Sequence, residues 1–152
     1  MRGRQFLDTA MLLRHSKSNE AHFRSAMSRA YYACFLEVRV PAFNLCNESS
    51  RIKYGISKIK EIKHNQLPVF LKNSQNPNVK KLGIDLGGML GMREDADYDM
   101  TNIVTEENAD DAINNADALI KHFDSIPPKE IGKALTDYFD KIIPSIHVKQ
   151  SP

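Results

Sequence analysis

The chain has 152 residues, 41% of them hydrophobic and 26% charged, with seven Gly, seven Pro and two Cys. That profile excludes a collagen, a mucin and a disordered tail, and at this length one core buries roughly 70% of the surface an unfolded chain exposes, so neither disulfides nor a structural metal is needed. The net charge of +2 conceals an asymmetry: residues 1–81 hold 15 Lys+Arg against 5 Asp+Glu, residues 82–128 hold 2 against 11, and residues 129–152 hold 4 against 3. A basic half can neutralise the phosphates of a polyanion such as RNA, although solvated helix faces account for the same charges. Cys34 and Cys46 lie in apolar helical text without CxxC spacing, MRGRQFLD carries no apolar h-region, and no apolar run approaches the roughly 18 residues a membrane span requires. A reduced, cytoplasmic protein that does not enter a membrane is expected.

Helical periodicity runs almost throughout, and no alternation of apolar and polar residues is long enough for a sheet. The expected fold is all-α, an up-and-down bundle of four to five helices with one appended C-terminal helix, divided as residues 1–126 and 127–152. A first helix over Arg4 to Ser16 carries Phe6, Ala10 and Leu13 on one face. The second, Asn19 to Leu45, aligns Phe23, Ala26, Met27, Ala30, Cys34 and Val38, with Pro41 as a kink or stop. Asn47 to Ser50 reads as a polar break, after which Ile52, Ile56, Ile59, Ile62 and Phe70 predict a basic amphipathic helix toward Asn73, weakened at Pro68. The fourth spans Asn78 to Asp95. The fifth is capped by Thr105, with Glu106 and Glu107 at its positive end and a stop before Pro127. A last segment, Lys129 to Ile143, repeats the pattern with Ile131, Leu135 and Phe139.

Gly83, Gly87 and Gly91 recur at spacings of four, with Gly88 beside them. Each costs roughly 1 kcal/mol relative to Ala in a helix interior, so close packing against the small stripe Ala26, Ala30, Ala33 and Cys34, inside the bundle or across a dimer, is expected to offset them. They form no GxxxxGK[ST] phosphate loop. Asp95, Asp97, Asp99, Thr101 and Glu106 match positions 1, 3, 5, 7 and 12 of an EF-hand loop, but Met100 stands where that loop requires Gly, which argues against calcium. The histidines fall in no metal-binding spacing, and Cys34 reads as a buried, inert thiol. Arg93 and Asp97, four apart, can pair on a helix surface, while Arg suits bidentate contact with phosphate and Tyr98 can stack on a base.

Two segments together resemble the HEPN domain in its small prokaryotic form: RSAMSRAYYACFLEVR, Arg24 to Arg39, and, 64 positions after Arg29, the run Arg93-Glu94-Asp95-Ala96-Asp97-Tyr98-Asp99. The resemblance covers about residues 5 to 124. It implies a helical bundle, usually a homodimer whose second and fourth helices line a cleft, often paired with a minimal nucleotidyltransferase in a toxin-antitoxin or defence system. Many members are metal-independent endoribonucleases whose signature is Arg, four to six residues, then His. Arg93 matches the arginine, and the histidine window holds Tyr98, Asp99 and Met100.

Two functions follow from this resemblance. In one, the chain is an endoribonuclease acting on RNA through Arg93, Asp97 and Tyr98, with Arg29, Tyr32 and Asp95 on the substrate side and the basic 1–81 half attracting RNA. In the other, it is a non-catalytic subunit that binds substrate or nucleotide for a partner nucleotidyltransferase, with the C-terminal helix as a docking element. Neither calls for a metal or cofactor, and Tyr98 would be open to modification by the partner.

Overall fold

The computed structural model describes residues 2–16 and 19–150, with side chains to residue 146. The last two residues of the expected C-terminal tail lie outside the described residues. The protein is all-α: about 79% of the described residues are helical, and no strand occurs among them. The helices are α1 (Arg4–Ser16), α2 (Glu20–Asn44), α3 (Glu48–Lys53), α4 (Leu67–Lys72), α5 (Pro77–Tyr98), α6 (Glu106–Asp124), α7 (Pro128–Asp137) and α8 (Ile143–Gln150). A 3-10 turn, Ile59–Glu61, precedes α4, and a π-helical turn, Tyr138–Ile142, joins α7 to α8. None of these helices is long and apolar enough to cross a membrane.

The chain forms two compact units. The first comprises residues 1–37 and 85–124, and the second residues 38–84 and 125–152, so α2 and α5 supply residues to both. In the first unit α1 packs on α6. Its core buries Leu7 and Ala10 of α1, Phe23, Met27, Tyr31 and Phe35 of α2, Leu86 and Met89 of α5, and Ala112, Ala116 and Leu119 of α6. Removing such apolar surface from water is the main favourable term for an amphipathic helix, whose own propensity is marginal. In the second unit α7 packs against α3 and α4, burying Ile62, Leu67, Leu71, Ile131, Leu135 and Phe139.

The caps follow sequence chemistry. Thr105 N–H donates to Asn108 Oδ1 (2.9 Å) and Asn108 N–H returns to Thr105 Oγ1 (3.3 Å), a reciprocal cap at the start of α6. Asn47 closes α3 by accepting from Ser50 N–H at 3.0 Å, so the expected polar break is in fact a helix start.

Several expectations are corrected. The basic helix expected between Ser50 and Asn73 is broken into α3, a turn and α4. Gly55 adopts φ 81°, which ends α3, and Glu61 Oε2 captures the N–H groups of Ser57 (2.6 Å) and Lys58 (2.8 Å). Pro68 then sits in the first turn of α4, where its missing N–H is not needed. Pro41 does not stop α2, which continues to Asn44: so near the C-terminus a proline forfeits little of the hydrogen-bond ladder. The fourth predicted helix runs three residues further, to Tyr98, and the last segment continues past Ile143 through the π-turn.

The glycines of α5 divide. A Cβ on Gly83 would run into the backbone of Leu71 and Lys72, so that glycine admits α4 and not α2, whereas Gly88 and Gly91 face open space. Within the first unit the small stripe of α2 meets larger groups, with Cys34 Sγ 3.7 Å from Met89 Sδ and from the Ala116 carbonyl. Burial pushes the Cys34 thiol up to about 12, as an inert core cysteine requires. Opposite effects of one substitution are therefore expected within α5. Gly83→Ala should destabilise by about 1–3 kcal/mol through overpacking, and Gly88→Ala should stabilise by up to about 1 kcal/mol through helix propensity alone. Urea unfolding of the two variants checks both signs.

Candidate functional site

The candidate site stands on the last two turns of α5, in the first unit. A helix leaves its final carbonyls without intrahelical donors, and here one side chain of α2 takes them. Arg24 Nη1 donates to the carbonyls of Ala96 (2.8 Å), Asp99 (2.9 Å) and, at longer range, Asp95 (3.4 Å), and its Nη2 donates to that of Asn102 (2.5 Å). Glu20 Oε1 receives the other edge of the guanidinium, 2.9 Å from Nε and 2.6 Å from Nη2, and also accepts from Val104 N–H at 3.2 Å. The pair Glu20 and Arg24 thus fastens residues 95–104 to the start of α2. The Arg24 side chain is only 11% exposed.

That anchoring carries α5 far enough to bring four side chains together. Arg93 Nε lies 2.7 Å from Asp97 Oδ2, one turn on; the contact is an ion pair whose N–H is not aligned for a hydrogen bond. Arg93 Nη2 reaches the hydroxyls of Tyr32 (3.3 Å) and Tyr98 (3.5 Å), both long bonds. The guanidinium also stands 5.4 Å from the Tyr32 ring centroid, 5.5 Å from that of Tyr98 and 6.0 Å from that of Tyr31. Ser28 Oγ donates to Asp97 Oδ2 at 3.3 Å. Burial opposes the charge of Arg93, but Tyr32, Asp97 and Tyr98 more than offset it, and the group is held protonated above its ordinary value. Burial likewise raises the Tyr31 hydroxyl. Arg93 and Asp97 are largely covered, with side chains 14% and 25% exposed, while Tyr98 is 70% exposed.

The other expected residues are placed differently. Arg29 is exposed and lies over Phe6, 5.5 Å from its ring centroid, and Phe6 in turn packs on Tyr32 at 6.1 Å. Arg29 thus borders the cluster through an aromatic ring. Asp95, two residues from Arg93 on the helix, is exposed and is bound only through its carbonyl by Arg24. Asp95 and Asp97 belong to α5 and not to a loop, and Asp99 instead organises the turn beyond it, accepting from Thr101 N–H (2.9 Å), Thr101 Oγ1 (2.5 Å) and Asn102 Nδ2 (2.6 Å). No group of His, Cys, Asp and Glu suited to a metal occurs among the described residues.

Sequence reasoning missed Arg24, Ser28 and Tyr31 as parts of the site. The four-residue spacing of Glu20 and Arg24 was the available signal, but it does not disclose that the arginine spans to a segment some seventy positions away.

The division of charge differs from the expected one. The unit that holds Arg93 carries 8 Lys+Arg against 14 Asp+Glu, net −6, and the second unit carries 13 against 5, net +8. Of the fifteen basic residues in 1–81, six belong to the unit that holds Arg93 and nine to the second unit. Comparison with family models, curated proteins and solved structures yields no match for this chain.

The cluster can do two things chemically. It presents a protonated guanidinium beside the exposed Tyr98 ring, suited to an anion or a stacked ring, and it places a carboxylate and phenols, with no imidazole among the described residues, within reach of that guanidinium. Replacing Arg24 by Ala should strand the part-buried carbonyls of Ala96 and Asp99 and cost about 1–2 kcal/mol, and Arg24→Lys should recover only part of it because an ammonium lacks the fork. Hydrogen exchange at residues 99–104 is the readout. A pH effect follows as well. The Arg24 hydrogen bonds hold Glu20 below its ordinary 4.5, and the Thr101 hydroxyl holds Asp99 below its ordinary 3.8. Folded values that are lowered give stability that is complete above the unfolded values and is lost as pH falls through the lowered ones. Acidification below pH 4.5 should therefore release residues 99–104, and Glu20→Gln should flatten that acid limb in a series of thermal melts.

Proposed function

We propose that this chain is a HEPN-type component of a two-component system, of toxin-antitoxin or defence type, that acts on RNA or nucleotides as a homodimer beside a minimal nucleotidyltransferase. The motif residues Arg93, Asp97 and Tyr98, together with Tyr32 of the other motif segment, support the reading by meeting at one place, as a shared phosphate- and base-handling site demands.

One observation favours the binding subunit over the endoribonuclease. Arg93 is paired with Asp97 and bounded by phenols, and general acid-base help worth 10²- to 10⁴-fold needs a group that exchanges protons near the working pH. A carboxylate that already neutralises the phosphate-orienting arginine serves that purpose poorly. The net charge of −6 on the same unit also repels a polyanion at long range. In this reading Arg93 holds a phosphate or base for a reaction that the partner carries out, and exposed Tyr98 is the cover that moves aside or is itself modified.

The test is an incubation of the protein with total RNA and with a tRNA pool in EDTA, with Arg93→Ala as control. Intact RNA is expected at high protein concentration, together with binding to a partner nucleotidyltransferase whose transfer reaction Arg93→Ala slows. Products with 2′,3′-cyclic phosphate ends that vanish in Arg93→Ala would overturn the non-catalytic reading and establish the nuclease.

A further inference from the structure

The second unit contains a cleft of about 300 Å³ that the reading above leaves unused. Its lining includes Tyr54, which follows α3, Asn65 and Gln66, which lead into α4, Val69 and Phe70 of α4, and Tyr138 of the π-turn. The size is at the lower end for a small-ligand site, and the mixture of aromatic surface with a few polar groups is the usual composition of one.

Three observations bear on the ligand. The first is the aromatic framework. Phe70 contacts Tyr138 (centroids 4.8 Å) and Phe139 (5.2 Å), and Tyr54 stacks on Phe139 (5.3 Å, 19°), so the two half-buried tyrosines are set on a rigid base. The π-turn that places Tyr138 is an irregularity that helices tolerate mainly at functional positions.

The second is the uncommitted polar groups. Gln66 Oε1 accepts from Lys63 N–H at 3.1 Å, which leaves its amide N–H groups as donors, and the Asn65 amide and the hydroxyls of Tyr54 and Tyr138 have no hydrogen-bond partner among the described residues. A carboxamide offers one donor beside one acceptor, the pairing that an adenine edge returns.

The third is charge. Lys53 Nζ stands 6.0 Å from the Tyr54 ring, and the unit as a whole carries net +8. Aromatic platforms, amide edges and surrounding cations are the combination that holds an unpaired base with its phosphate. We infer that the cleft lined by Tyr54, Asn65, Val69 and Tyr138 binds the base of a nucleotide, with Lys53 toward its phosphate. This inference does not rest on the Arg93 reading.

Calorimetric titration of the full chain with adenosine, AMP, ribose 5-phosphate and a short single-stranded oligoadenylate tests it. AMP is expected to bind, and ribose 5-phosphate at least tenfold more weakly. Asn65→Ala, at an exposed position, and Val69→Trp, which fills the cleft, should each weaken AMP tenfold or more with an unchanged circular dichroism spectrum. Lys53→Gln should weaken AMP but not adenosine, and Lys121→Gln, at an exposed position of α6 in the first unit, should bind AMP as the unaltered chain does. Oligoadenylate much tighter than AMP, with the same sensitivity to Asn65→Ala, would mark a strand of nucleic acid as the source of the base; equal or tighter AMP would mark the free nucleotide. Absence of binding by both AMP and the oligonucleotide, ribose 5-phosphate as tight as AMP, or AMP binding that survives Asn65→Ala and Val69→Trp would overturn the inference. Binding lost in Arg93→Ala and kept in Val69→Trp would do the same while leaving the Arg93 reading intact.

Discussion

The candidate site depends on a single guanidinium. Helices end in carbonyls that must find donors, and Arg24 supplies them for the end of α5 and for the turn beyond it, while Glu20 neutralises its charge and holds Val104. Arginine suits this task because its donors radiate in a plane and can serve several acceptors at once. Without that anchor the last turn of α5 would be free to fray, and Asp97 and Tyr98 would have no fixed relation to Arg93. The geometry of the cluster is thus set from α2, by a residue that does not itself belong to the cluster.

What Arg93 does follows from how it is held. Its strongest partner is Asp97, oriented in part by Ser28, and its bonds to the two phenols are long. A guanidinium bound by a fully aligned, bidentate carboxylate would have no capacity left for a ligand, because a buried pair of that kind is costly to break. Here the Nε contact is misaligned and the phenols are loosely engaged, so a phosphate could replace the Tyr98 contact at modest cost. The same arrangement places a carboxylate and phenols, and no imidazole among the described residues, against the guanidinium.

Much of the fold was legible in the sequence because its helices obey strong local rules. The apolar stripe of α6, Ala109, Ala112, Ile113, Ala116, Leu119 and Ile120, is buried as its spacing required, and Thr105 caps it. The failures occur where a distant partner overrides a local pattern. Ile52, Ile56, Ile59 and Ile62 keep a helical period, yet Gly55 and the Glu61 side chain convert the stretch into turns, since capturing two backbone N–H groups satisfies them as well as a helix would. Gly83, Gly87, Gly88 and Gly91 read as one stripe, but only a neighbour's backbone decides which glycine is required, and α4 decides it for Gly83. For the site, the pairing of Arg93 with Asp97 and the nearness of Tyr98 could be read from helical spacing. Tyr32 was expected there only through the family resemblance, because helical spacing does not tell how α2 and α5 pack in the first unit.

Charge is distributed differently along the sequence and within the units, for a geometrical reason. Net charge along a sequence is a property of contiguous text, whereas the field a ligand meets is a property of what folds together. Residues 1–37 are only mildly basic, and joining them to residues 85–124 yields a unit of net −6; the lysines of residues 51–81 join instead with residues 125–152 in a unit of net +8. The aromatic cleft belongs to the unit of net +8, and Arg93, paired with Asp97, belongs to the unit of net −6. The lysine-rich text and the motif arginine thus fall in different units, because each unit joins segments that lie far apart in the sequence.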